Sequence, residues 1–283
     1  MRLLGALLAA AAIGLSGCGG SGGGVTAPHV GAARVFELAG FQPVGALSPG
    51  HRTTISFTVR QPSGEPLTSY KTGQGPHTGV HLIIVRDDLA YIIHEHPPIG
   101  ANGLIQQTVT IPAPGRYEAL VDIYPNIPGG LPNFQLSHTL DAGAYRPKPL
   151  PPFKPDITVD GYRVSMHLHQ TLHAIQAQFV DVDVTDSHGR RVRFSPWFGA
   201  LAHAIFFHQG SLHYFHSHVC APNAPNCASL AGGGSSRVTG KSTSPGKLKI
   251  GVLLPEPGKW RLFLQMKLGG KIVTAPFTLT VLP

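Results

Sequence analysis

Six of the sixteen histidines in this chain fall into a repeated pattern. His81, His94 and His96 recur as His203, His216 and His218, with offsets of thirteen and two kept in both copies. The segment from His81 to His96 aligns without a gap on the segment from His203 to His218. A duplicated core has reason to keep its apolar pattern, but no evident packing reason to keep three imidazoles in place. Metal coordination supplies one, since imidazole suits Cu(II), Zn(II) and Ni(II). The only methionines after the N-terminal segment are Met166 and Met266, too few for a Met-rich Cu(I) surface. Three histidines with an open fourth position also describe a hydrolytic zinc site. Such a site needs a general base, and alternation turns Glu95 to the face opposite His94 and His96, while Ser217 replaces it in the second copy. The pattern therefore predicts metal binding and no enzyme.

The element that must position these side chains is a β-hairpin. With a two-residue turn at Asp87-Asp88, Arg86 pairs with Leu89, and the ladder runs outward until His81 faces His94. Directly opposed Cβ atoms lie about 5 Å apart, and His96, two residues beyond His94, projects from the same face. The second copy behaves alike around Gln209-Gly210, where Gly tolerates the positive φ of a tight turn. One ion per copy is the expectation. His77, four residues before His81, is a further ligand candidate for the first site, although Gly199 stands at its counterpart. His167, His169 and His173 form another alternating group, and His208 and His213 point away from His203 as surface or edge residues. A structural reading stands beside the metal reading. His81 shares its face with Ile83, Val85 and Ile92, so the triads could be buried, neutral, hydrogen-bonded imidazoles.

The repeat extends past the histidines. Ile55–Gly64 and Ala177–Gly189 each give an alternating strand followed by a turn ending in Gly. Ile111-Pro-Ala-Pro-Gly-Arg-Tyr117 matches Leu254-Pro-Glu-Pro-Gly-Lys-Trp260, where a Pro-Gly turn hands over to strands Glu118–Ile123 and Arg261–Met266. Terminal strands are predicted at Phe134–Leu140 and Phe277–Leu282. No stretch after the N-terminal segment carries a capped helical period, so the fold class is all-β: two tandem, seven-strand, immunoglobulin-like antiparallel sandwiches. The first domain spans 35–145 and the second 157–283, joined by a Pro-rich linker at 146–156 that is stiff and extended. A Gly-, Ser- and Ala-rich loop from Cys220 to Lys247 is peculiar to the second copy.

Residues 1–17 read as a secretory signal: Met1-Arg2, an apolar run from Leu3 to Leu15, then Leu15-Ser-Gly-Cys18. That ending resembles a bacterial lipobox and makes Cys18 the lipidated first residue, with 18–34 a Gly-rich flexible leash. The alternative is a short anchoring helix that is never cleaved. Cys220 and Cys227 are expected to form a disulfide in an oxidising compartment, worth about 2.5 kcal/mol for so short a loop; the rival reading makes them thiolate ligands beside His218. The net charge of +8 is scattered, with no basic cluster interleaved with aromatics, which excludes nucleic acid as a partner. A basic outer surface suits anionic lipid headgroups.

The run His81-Leu-Ile-Ile-Val-Arg-Asp-Asp, then His94-Glu-His96-Pro97, then a Pro-Gly-Arg-Tyr strand, resembles the YtkA-like, CopC-like immunoglobulin-fold domains of bacterial envelopes. The resemblance covers most of 35–145 and, more loosely, 157–283; Val219 stands where the motif has Pro. It implies copper handling by His81, His94 and His96 and by their counterparts. The expected protein is thus an extracytoplasmic, lipid-anchored lipoprotein storing or delivering a metal ion, copper(II) before zinc. Its expected partners are the metal, the membrane and another envelope metal-handling protein. The alternative is a non-enzymatic interaction module whose histidines are structural or sense pH.

Overall fold

Alternating apolar residues build sixteen strands and no helix among the described residues of this computed structural model, which are 35–72, 79–219, 221–222 and 244–283. The signal, Cys18, the leash, His77, Cys220 and Cys227 lie outside them. In the first half, β1 (Glu37–Gln42), β2 (Arg52–Arg60) and β5 (Ile105–Thr110) form a sheet in the order β1-β2-β5. It faces a second sheet of β3 (Val80–Arg86), β4 (Ile92–Glu95), β6 (Arg116–Ile123) and β7 (Phe134–Asp141), in the order β4-β3-β6-β7. Ile55, Phe57 and Val59 from one sheet and Leu82, Ile84 and Val121 from the other fill the space between. This is the expected seven-strand, immunoglobulin-like sandwich.

The second half repeats the order with additions. β8 (Asp156–Val159), β9 (Tyr162–His167), β11 (Gln178–Thr185) and β14 (Lys247–Val252) form a sheet ordered β14-β11-β9-β8. It faces a sheet of β10 (Leu172–His173), β12 (Ala202–His208), β13 (Tyr214–Val219), β15 (Gly258–Leu268) and β16 (Lys271–Leu282), ordered β10-β16-β15-β12-β13. Nine strands replace the seven expected. The sequence before β9 folds back as a hairpin, and β10 adds a short parallel pairing to β16. β16 is also longer than Phe277–Leu282, because Gly269-Gly270 turns β15 directly into it.

β3 and β12 are buried on both faces, and this is what places the site. Leu82 and Ile84 point into the first core, whereas Ile83 and Val85 point the other way and join Leu89, Leu120, Ile205, Phe207 and Phe263 in a third apolar cluster between the halves. Each such side chain contributes at most about 1.5–3 kcal/mol by leaving water. Val35–Pro283 accordingly forms one compact unit. The stretch 142–155 carries no strand, as the prolines require; Leu150 packs on the shared cluster, and the Lys148 amide donates to Asp88.

The hairpin register differs from the one predicted. Ile83, not His81, faces His94, and His203 faces His218 instead of His216. The cause is a four-residue loop in place of the two-residue turn. The Arg86 amide donates to the Tyr91 carbonyl, and that of His208 to His213. Leu89 (φ 61°) and Leu212 (φ 57°) adopt left-handed backbone within these loops, a cost of about 1–3 kcal/mol each that is offset by packing on the shared cluster. In the first loop Asp88 takes a bidentate pair from Arg86 at 2.8 Å, and Arg86 lies over Tyr91 and Tyr145. A slip of two residues preserves the face, so all three histidines of each hairpin still point the same way.

Candidate metal centre

Both histidine faces point at the shared cluster, so the two triads meet. Instead of two separate sites there is one group of six imidazoles. Ring centroids of His94 lie 5.1 Å from His203 and 5.2 Å from His216, and His81 lies 5.4 Å from His216. Two sets of three bring one nitrogen from each member within 4.8 Å of one another: His81, His94 and His216, and His203, His216 and His218. The second is the triad expected from sequence. The first is not. His96 leaves its own triad and stacks between His81 (3.9 Å) and Phe198 (3.6 Å), and His216 from the other half replaces it.

Hydrogen bonds fix the tautomers. His94 Nδ1 lies 3.1 Å from Gln265 Oε1, whose amide nitrogen in turn donates to Thr274 at 3.1 Å. An amide oxygen only accepts, so His94 carries its proton on Nδ1 and keeps the Nε2 lone pair, which is buried without a hydrogen-bond partner. His203 Nε2 donates to the Trp197 carbonyl at 3.0 Å, which leaves its Nδ1 bare and 3.0 Å from His216 Nε2. Each of these rings is therefore tethered on one edge and offers a lone pair to the cluster from the other. That is how metal-binding histidines are ordinarily held.

The spacing suits a small ion. Metal–nitrogen bonds of about 2.0–2.1 Å at tetrahedral angles place ring centroids roughly 5.2 Å apart. The second set measures 5.3, 5.1 and 4.7 Å, and the first 5.9, 5.4 and 5.2 Å. Electrostatics agree with neutral ligands. Burial, aided by neighbouring histidines, pushes His94, His96 and His216 well below the ordinary imidazole value. Burial draws His203 down to about 4, against the raising pull of the Trp197 carbonyl.

Five residues at the cluster were not singled out in the sequence. Asp122 pairs with His81 in the ladder and Gln265 pairs with His203, so they hold equivalent places in the two copies. Each serves a histidine of the opposite half: Gln265 bonds His94, and an Asp122 oxygen lies 3.9 Å from His216 Nδ1. Burial lifts Asp122 to about 7, against the lowering effect of Tyr214 and Gln135. Trp197 and Phe198 form a lid from the second half, with the Trp197 ring 5.4 Å from His94. Tyr214, buried beside Asp122, completes the set. Polar residues standing in apolar runs, Asp122 and Gln265, were the legible signal.

The other described histidines considered from the sequence stay apart. His167 pairs with Asp183 at 3.0 Å, His169 with Asp181 at 2.9 Å, and His173 with the Pro283 carbonyl at 2.8 Å. They form no ligand group. His208 and His213 share Glu256 at the outer edge, and His208 lies where a side chain at Gly258 would have to go. Glu95 faces Leu82 in the ladder, on the side away from His94.

An all-β, immunoglobulin-like chain with a histidine cluster is the class that fold and site define. Residues 157–282 match a family described as a domain of unknown function, DUF8832. No curated protein matches the sequence. Solved structures similar to the chain include a Salmonella alpha-2-macroglobulin mutant (14% identity, TM-score 0.24), covering 91% of this chain but only 15% of that one. Domains 4 and 5 of the S-layer protein SbsC cover 87% of this chain and 100% of theirs (12% identity, TM-score 0.23). Fibronectin(III)-like modules of Clostridium thermocellum CbhA cover 88% and 93% (11% identity, TM-score 0.22). At such scores these likenesses add nothing to the fold described above.

Proposed function

We propose that this protein is a non-enzymatic, extracytoplasmic metal-binding lipoprotein that holds a late first-row transition ion where its two sandwich halves meet. The observation that carries the reading is the tethering of His94 by Gln265 and of His203 by Trp197, which aims two lone pairs into one buried cluster. Copper and zinc both suit an imidazole set. The ring spacing lies closer to a tetrahedral ion than to a square one, which favours zinc as much as the copper implied by the YtkA-like resemblance. The lipobox at Cys18 supports attachment to the cell membrane, where the ion would be stored or delivered to another envelope protein.

The stacking of His96 between His81 and Phe198 favours a second reading, an interaction module in which the cluster is structural. Thermal melts with and without chelator separate the two. Metal bound only to the native state raises stability by mass action. A metal protein therefore shows a gap at neutral pH that closes in acid, as protons displace the ion. Curves that superimpose at every pH would reject the metal reading.

A further inference from the structure

His216 is the one residue present in both ligand sets. Its two nitrogens look in different directions. Nε2 lies 3.0 Å from His203 Nδ1, inside the second half's own set. Nδ1 is buried without a hydrogen-bond partner and lies 3.9 Å from Asp122, the ladder partner of His81 in the first half. The edge that does not face His203 therefore faces the half that supplies His81 and His94.

We infer that the cluster is a two-ion centre in which His216 bridges: one ion sits on His203 Nδ1, His216 Nε2 and His218, and the other on His81, His94 Nε2 and His216 Nδ1. This rests on the metal-binding reading and goes beyond it in number and coupling. For both nitrogens to bind, the proton that His216 carries toward His203 leaves for bulk solvent, and the ring becomes an imidazolate. Charge is the chief obstacle, because two dications bring four positive charges into a buried site. The imidazolate, shared by both ions, and the Asp122 carboxylate, 3.9 Å from His216 Nδ1, offset two of these four charges. Neither a lone ion in the second half nor one in each hairpin would place an orphaned nitrogen and a buried carboxylate on the far edge of this particular ring.

The test uses the full-length chain, stripped with chelator, loaded with copper(II) alone and desalted. Metal analysis should give two ions per chain. Low-temperature electron paramagnetic resonance should show an exchange-coupled pair, with integrated signal well below total copper. His218→Ala and His81→Ala should each leave one ion with an isolated, full-intensity signal. His216→Gln, which keeps bulk without an imidazole, should lower both affinities and abolish coupling. One ion per chain in the wild type, or two magnetically isolated ions, overturns the bridged centre and leaves the metal reading standing. No ion in a folded wild type overturns both. Should the His216 variant fail to fold, the wild-type count and coupling, with the two outer variants, still decide.

Discussion

The two hairpins carry the same three histidines at the same offsets, yet among the described residues only the second closes a triad from its own half. In the second, His203, His216 and His218 gather, with His203 fixed to the Trp197 carbonyl. In the first, His96 is drawn out of the set by Phe198, and His81 and His94 depend on His216 from across the junction. The aromatic pair Trp197-Phe198 belongs to the second half but covers both. A repeat in sequence thus guarantees equal presentation, since alternation fixes the face. It does not guarantee equal sites, because what a face meets is decided by the opposite half.

The effect expected to be largest asks whether the halves titrate together. His94, His96, His203 and His216 all have folded values below the unfolded value of about 6.5. The unfolded state therefore binds more protons, and chelated protein should lose stability as pH falls below about 6.5. His203 alone, drawn down to about 4, accounts for roughly 3 kcal/mol by the time pH reaches its folded value. Asp122, raised to about 7, works in the opposite sense: its stabilisation is complete below its unfolded value and is lost as pH rises through 7. One carboxylate opposes four imidazoles, so denaturant unfolding of metal-free protein should show a net fall between pH 6.5 and 4. A flat profile would mean the cluster is open to water.

A sharper break in the comparison comes from His96 and His218, which hold the same place in the repeat. His218→Ala should weaken binding by at least ~100-fold, since a ligand matters more than the outer partners whose loss costs 10–100-fold. His96→Ala should leave affinity within a few-fold, as competition titration against a chelator would show. Equal losses would restore two independent triads. Next in size, Gln265→Leu should cost about 10–100-fold at the set that contains His94, by releasing the Nδ1 proton to either edge of the ring. The smallest effect should come from Phe198→Ala, which removes one stacking contact worth about 0.5–1.5 kcal/mol. It should lower the melting temperature of metal-free protein without changing metal stoichiometry.

Much of this was legible in the sequence. Alternation placed β6 within two residues and the starts of β2 and β15 within three, and the repeated Pro-Gly turn identified β6 and β15 as equivalents. The shared face of His81, His94 and His96 was also readable, because period-two alternation survives a two-residue register slip. The slip itself was not, since it depends on Leu89 and Leu212 accepting left-handed backbone in order to bury their side chains. Nor was the union of the two triads. Ile83, Val85, Ile205 and Phe207 announce a second buried face on β3 and β12, but an apolar strand reads the same whether its outer face meets a partner or its own duplicate.

The short connection between the halves has a further consequence. Residues 142–155 tie β7 to β8, with Lys148 held to Asp88 and Leu150 packed into the junction. Joining two surfaces by so short a tether makes their encounter intramolecular, at an effective concentration of about millimolar or more. The group of His81, His94 and His216, which draws on both halves, is therefore assembled at any dilution. Were the same two surfaces on separate chains, the fraction of complete clusters would vary with protein concentration; fused, every molecule carries the whole cluster.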